Sequence, residues 1–231
     1  MSQMSRSSYQ CTILPWDYKT VIQWAPKFID FRLKALELAP SESTSSTEIE
    51  ASISLQEWVS ILTQPAFRVA LCVTTTASEE RSPEIWCNEW VGMLLLYGPL
   101  YDLNLQDKIL ETRWYVGGGF VSPVHRGSKI LKDLFHHLLH QIQEVFLGND
   151  LHRRYGFNSL NLVTRMEVIV HASDEAKMKY YATVGLRKTQ VMTIAEYVRT
   201  GWNFPITGKE DFEIAVLALV VEKTSAITAR L

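Results

Sequence analysis

The stretch from Trp114 to Phe146, WYVGGGFVSPVHRGSKILKDLFHHLLHQIQEVF, limits what this chain can fold into more than any other. It reads as a strand, a sharp turn and a long amphipathic helix. Apolar residues at Ile130, Leu131, Leu134, Phe135, Leu138, Leu139, Ile142 and Phe146 recur at helical spacing and mark one buried stripe. Asp133, His136, His137 and His140 fall on the opposite side. Pro123 stops the strand because it has no N–H for a ladder. The segment His125–Ser128 turns the chain into the helix, with Gly127 free to take unusual dihedrals. Such an entry leaves helix-start N–H groups without partners at the positive end of the helix dipole, which is a ready anion site. Phosphate is the commonest biological anion to use one.

The chain has 231 residues, enough for one large domain or two small ones and for a substantial core. Apolar residues make up 47% and charged ones 21%, the balance of a globular protein. A net charge of −2 argues against a broad nucleic-acid-binding face and leaves room for a local basic pocket. Cys11, Cys72 and Cys87 share no close spacing that suggests zinc or a redox pair. An odd, sparse set fits a reducing compartment such as the cytoplasm. The first ten residues lack the apolar run of a signal peptide. No stretch approaches the ~20 apolar residues that cross a bilayer, so no membrane partner is expected.

In chain order, Tyr9–Leu14 alternates as a first strand, and Asp17–Leu38 carries helical periodicity that Pro26 and Pro40 should break or end. Ser41–Ser52 is rich in hydroxyls and acids and reads as a loop, either a connector or a lid. Ser54 and Glu57 form a capping box for a helix over Leu55–Thr63. Phe67–Thr75 and Glu89–Leu96 are strands joined by a hairpin loop at residues 77–84; WVGMLLLYGP reads as covered on both faces. A polar connector leads to the central strand. Gly148–Ser159 is an irregular link, Leu160–His171 a strand and Asp174–Val184 a short helix ended by Gly185. Leu186–Thr193 and Phe212–Val221 close the chain as strands, linked by the aromatic segment EYVRTGWNFP. The result is one α/β domain with a mixed, mostly antiparallel sheet flanked by helices.

Two local patterns resemble those of the GNAT superfamily of acyl-CoA-dependent N-acetyltransferases. Val121–Leu131, VSPVHRGSKIL, is similar to the family's V-x-P-x-x-R-G-x-G-x-G/A acyl-CoA loop. Val170–Leu186, VHASDEAKMKYYATVGL, is similar to its V-x-x-S-N-x-x-A-x-x-L-Y-x-x-x-G-F segment. The resemblance covers roughly Tyr9–Val221 and implies a GNAT-like sheet whose central strands splay. It also implies that Phe120 and Val121 offer backbone groups to the pantetheine arm of acetyl-CoA, a ligand acting as an added strand. Gly117–Gly119, poor β-formers, suit either that approach or a bulge that only shapes the sheet.

By the same resemblance, Arg126, Gly127, Ser128, Lys129, Ile130 and Leu131 cradle the diphosphate, chiefly through main-chain N–H groups. Lys129 and Leu131 depart from the family's small residues, and Lys129 stands where glycine is usual. Tyr181 matches the tyrosine that returns a proton to the departing thiolate; otherwise it is a packing aromatic. Asp174 stands where asparagine is common, to accept a hydrogen bond near the ligand or to cap its helix. Glu167 is the candidate general base, with Ile169 at the position of a glutamate found in some members; His171 and Glu111 are weaker choices. No metal is implied: His136, His140 and Asp133 read as a wet helix face. The glycine run is no dinucleotide fingerprint, because Ser122 and Pro123 interrupt it.

The sequence therefore points to an N-acetyltransferase that moves an acetyl group from acetyl-CoA to a primary amine, small molecule or peptide, by direct attack in a ternary complex. Ser41–Ser52 and Tyr197–Phe204 would shape the amine pocket. The second reading is a weak or inactive GNAT-like module that binds CoA or a protein partner, motivated by Lys129, Leu131 and the missing base. A homodimer is compatible with either.

Overall fold

The computed structural model describes residues 8–40, 45–75, 85–127, 129–147, 161–202 and 210–224. Its strands are β1 (Ser8–Ile13), β2 (Phe67–Thr75), β3 (Trp90–Asn104), β4 (Ile109–Val121), β5 (Asn161–His171), β6 (Arg187–Thr193) and β7 (Glu213–Thr224). Its helices are α1 (Tyr18–Leu38), α2 (Thr47–Ala51), α3 (Leu55–Leu62), α4 (Ile130–Leu147), α5 (Glu175–Thr183) and α6 (Ile194–Arg199). The strands form one sheet in the order β1-β2-β3-β4-β5-β7-β6. β1–β2, β5–β7 and β6–β7 pair antiparallel and β4–β5 parallel, the mixed, mostly antiparallel sheet that the sequence suggested. No described helix is long and apolar enough to cross a membrane. The expected loops at 77–84 and Gly148–Ser159 lie outside the described residues.

The chain forms two compact units, one comprising Met1–Leu96 and Gly117–His137, the other Tyr97–Val116 and Leu138–Leu231. In the first, Asp17 caps α1 by accepting the Thr20 amide at 3.1 Å. The helix buries Val21, Trp24, Phe28 and Leu36. Pro26 does not break it. The proline is exposed and the residue four positions before it, Ile22, is 45% exposed, so the carbonyl it deprives of an amide lies on the wet face. The Ser54–Glu57 capping box is present, and α3 buries Trp58, Val59 and Leu62. Trp90–Leu96 is buried at every position, as a strand covered on both faces should be.

Part of the expected Ser41–Ser52 loop is instead α2; residues 41–44 are not described. Ser46 caps it, and Glu48 and Glu50 in its first turn suit the helix dipole. Its anchor is a charge: Glu50 is buried and takes a two-point ion pair from Arg32 of α1, at 2.8 and 2.7 Å. A polar segment conceals a packed helix when the packed group is an ion pair. The sheet adds a cysteine neighbour that sequence spacing does not show. The β1–β2 register sets Cys11 directly opposite Cys72, a pairing made by the ladder and invisible to sequence spacing.

In the second unit, β5 pairs with β7 along its whole length, from Asn161↔Thr224 to His171↔Ile214. The connector expected after Leu96 is mostly strand, since β3 runs to Asn104. There the Asn104 side chain accepts the Gln106 and Asp107 amides at 3.0 and 3.1 Å, an Asx-type turn that needs only four residues. The aromatic link after β6 contains α6, opened by a capping box of Thr193 and Glu196. β6 itself is exposed along most of its length, and its register shifts between Lys188 and Gln190.

Candidate functional site

The first unit holds the end of β4 and the turn that follows. Phe120 is buried edge-to-face against Phe31 of α1, with centroids 5.5 Å apart. Gly118 has φ +58°, and a Cβ there would sit 2.6 Å from two carbons of Leu95 and 3.3 Å from a guanidinium nitrogen of Arg32. Glycine at 118 is required by its surroundings. Gly118→Ala should cost about 1–2 kcal/mol for the left-handed backbone and about 1–3 kcal/mol for overpacking, read as a lowered urea midpoint. A midpoint unchanged from the parent would remove the requirement. Beside it, Arg32, Ala35, Leu36, Ala39, Gly118, Gly119 and Phe120 line a crevice of ≈ 10 Å³, at the lower limit for one water.

Beyond β4 the chain leaves the sheet through the Ser122 amide, which donates to the Val91 carbonyl at 2.8 Å. A turn of 3₁₀ helix over Pro123–His125 follows. The Arg126 side chain folds back, its Nε donating to the Val121 carbonyl at 3.2 Å. Gly127 has φ +81°, and nothing lies within 4 Å of where a side chain would begin, so conformation and not crowding selects glycine. The Asp133 amide donates to the Lys129 carbonyl at 2.9 Å, the first intrahelical bond of α4. The N–H groups of Ile130, Leu131 and Lys132 consequently have no intrahelical acceptor. Arg126 and Lys129 are exposed, Leu131 is half-buried and Ile130 is buried. Ser128 lies outside the described residues. His125, at the same turn, is 3.1 Å from the Tyr9 hydroxyl of β1.

The second unit holds the other candidates. The β4–β5 ladder runs from Ile109↔Asn161 to Tyr115↔Glu167 and ends there, although β4 continues to Val121 and β5 to His171. At its last rung Glu167 is buried, with Oε2 accepting from Arg113 at 3.1 Å and from the Tyr197 hydroxyl at 2.8 Å. Its Oε1 has a longer contact of 3.4 Å with Arg113. Tyr197 belongs to a buried cluster with Tyr115, Ile194, Trp202, Ile214 and Val216, against which Ile169 packs. Burial, first, and the neighbouring Glu167 charge, second, push its phenol far above the usual range. Sequence reasoning placed Tyr197 in the aromatic link between the last two strands and missed this bond; the signal was Thr193-x-x-Glu196, which starts α6 and turns Tyr197 inward.

Glu111 is paired with Arg165 at 2.7 Å. His171 is exposed and bonds the Ser173 hydroxyl at 2.7 Å. Asp174 caps α5: its Oδ1 accepts the Lys177 amide at 2.9 Å, and that bond holds its carboxyl below the usual range. The capping role is thus the one in place. Tyr181 is half-buried on α5, edge-to-face with Tyr180 at 5.6 Å. Phe204 lies outside the described residues. His136 and His140 are exposed on α4.

No family model matches the chain, and no curated protein matches it in sequence. Among solved structures it is similar to Arabidopsis thaliana NAA60 in complex with acetyl-CoA, at 10% identity over 93% of this chain and 99% of that one, with a TM-score of 0.53. It is similar to a GNAT-family acetyltransferase from Streptococcus pneumoniae at 10% identity over 92% and 100%, TM-score 0.51. A chimera of the Vibrio cholerae spermidine N-acetyltransferase SpeG and hSSAT follows at 11% over 91% and 95%, TM-score 0.50. At such identities the likeness is one of architecture, and the chain has the fold of the GNAT acetyltransferases.

Proposed function

We propose that the protein is an acetyl-CoA-dependent N-acetyltransferase acting on a primary amine of a small molecule or peptide. The observation that carries this is the strand–turn–helix at Gly117–Ile130. It combines a positive-φ glycine in open space, two exposed cations and a helix start whose first amides have no intrahelical acceptor. These suit a diphosphate better than any neutral ligand, and the fold is one used with acetyl-CoA in NAA60. Arg126, Gly127, Ser128, Lys129, Ile130 and Leu131 hold the diphosphate in this reading. Lys129 keeps its side chain in solvent and adds charge. Phe120 and Val121 present backbone to the pantetheine amides, and Arg126 gives up the Val121 carbonyl when the ligand enters.

In the same reading Tyr181 protonates the thiolate that leaves as the amine attacks the thioester carbon. Glu167 takes the proton that the attacking ammonium must lose, through Oε1, the oxygen its partners engage less. Asp174 serves by fixing the start of α5, the helix that carries Tyr181. A second reading, a CoA-binding module without turnover, is favoured by the narrow crevice beside Gly118 and by the ion pair that already occupies Glu167. Calorimetric titration with acetyl-CoA should show saturable binding in the micromolar range; no heat at high micromolar ligand overturns both readings. Thiol release across a panel of polyamines and peptide N-termini then separates them, since binding without release leaves only the module.

A further inference from the structure

β1 is an edge strand, and its register places Cys11 against Cys72 of β2. The Leu14 amide donates to the Val69 carbonyl at 2.9 Å, so hydrogen-bonded rungs fall at Leu14, Thr12 and Gln10. The Cys11–Cys72 rung is therefore of the non-hydrogen-bonded kind, where Cα atoms stand about 4.5 Å apart and side chains are closest. That spacing lies within the span of about 4.4–6.8 Å that a disulfide bridges. Both thiols are free, Cys72 fully buried and Cys11 partly exposed. We infer that Cys11 and Cys72 form a peroxide-sensitive dithiol that oxidises reversibly to a disulfide, fastening the edge strand to the sheet.

The two thiols have unequal roles. A hydrogen bond from Cys72 lowers the Cys11 pKa, opposed by burial and by the Asp133 charge; the same bond and burial push the Cys72 thiol up. Cys11, the partly exposed member of the pair, is thus the sulfur that meets oxidant from solvent. Its sulfur attacks one oxygen of hydrogen peroxide, the O–O bond breaks, and hydroxide leaves to take a proton as water. Cys72 sulfur then attacks the Cys11 sulfenic sulfur, the S–O bond breaks, and the departing hydroxide leaves as a second water with the Cys72 proton. Two thiols and one peroxide give one disulfide and two waters. None of this depends on acetyl-CoA binding.

The test treats the reduced full-length protein with hydrogen peroxide, blocks it with iodoacetamide and maps its peptides without reduction. A peptide linking Cys11 to Cys72 is expected, lighter by two hydrogen atoms than its parts and lost on dithiothreitol treatment. In Cys72→Ser, where the Cys11–Cys72 disulfide cannot form, dimedone should trap the Cys11 sulfenate. Recovery of Cys11 and Cys72 as separately alkylated peptides after peroxide would overturn the inference. So would Cys87 in place of either as the linked partner.

Discussion

Tyr181→Phe is expected to lower kcat for acetyl transfer by about 100-fold, at the lower end of what a positioned proton donor contributes, while acetyl-CoA binding stays within twofold. About 100-fold corresponds to about 2.7 kcal/mol of transition-state free energy. The direction follows from what the two groups can do. A phenol with pKa about 10 does not protonate a thiolate of about 8.5 ahead of bond breaking, so its donation matters only in the transition state. Binding, which precedes that state, has no reason to change. Tyr181 is half-buried beside Tyr180, so phenylalanine keeps the ring contact and the fold. Equal kcat in the two proteins would assign Tyr181 to packing and the proton to water.

Glu50→Ala is expected to destabilise the protein by about 3–5 kcal/mol, the range for removing one partner of a buried ion pair. Both side chains of the Arg32–Glu50 pair are only 8% exposed. Alanine leaves the guanidinium in the interior without its carboxylate, and charge buried in that way is costlier than the pair itself. The double change Arg32→Met with Glu50→Leu should recover most of the loss, because it removes the charge along with its partner. Urea unfolding of the three proteins measures this. A loss under about 1 kcal/mol for the single variant would place the pair with solvated surface bridges.

Most strands and the long helices were legible because alternation and helical spacing are set by the residues themselves. The open turn at Gly127 was legible for the same reason: a proline stop, an arginine, a glycine and an apolar stripe each act locally. What escaped was organised across distance. Nothing near Glu50 announces Arg32, and nothing near Cys11 announces Cys72. Tyr197 reaches Glu167 only because α6 turns it inward and β5 brings a carboxylate to meet it. Pro26 misled for the opposite reason. A local rule held, but the carbonyl it affects is one that water can satisfy.

The exposed strand β6 closes one end of the sheet order, and its outer row of backbone groups would otherwise invite a neighbouring chain. Arg187 and Lys188 put a cation on each face there, and the register shifts between Lys188 and Gln190. A second molecule approaching that margin meets like charge and an irregular spacing of donors and acceptors. Strand addition by another copy is therefore disfavoured at this border, and growth of fibrils along it is discouraged from the start.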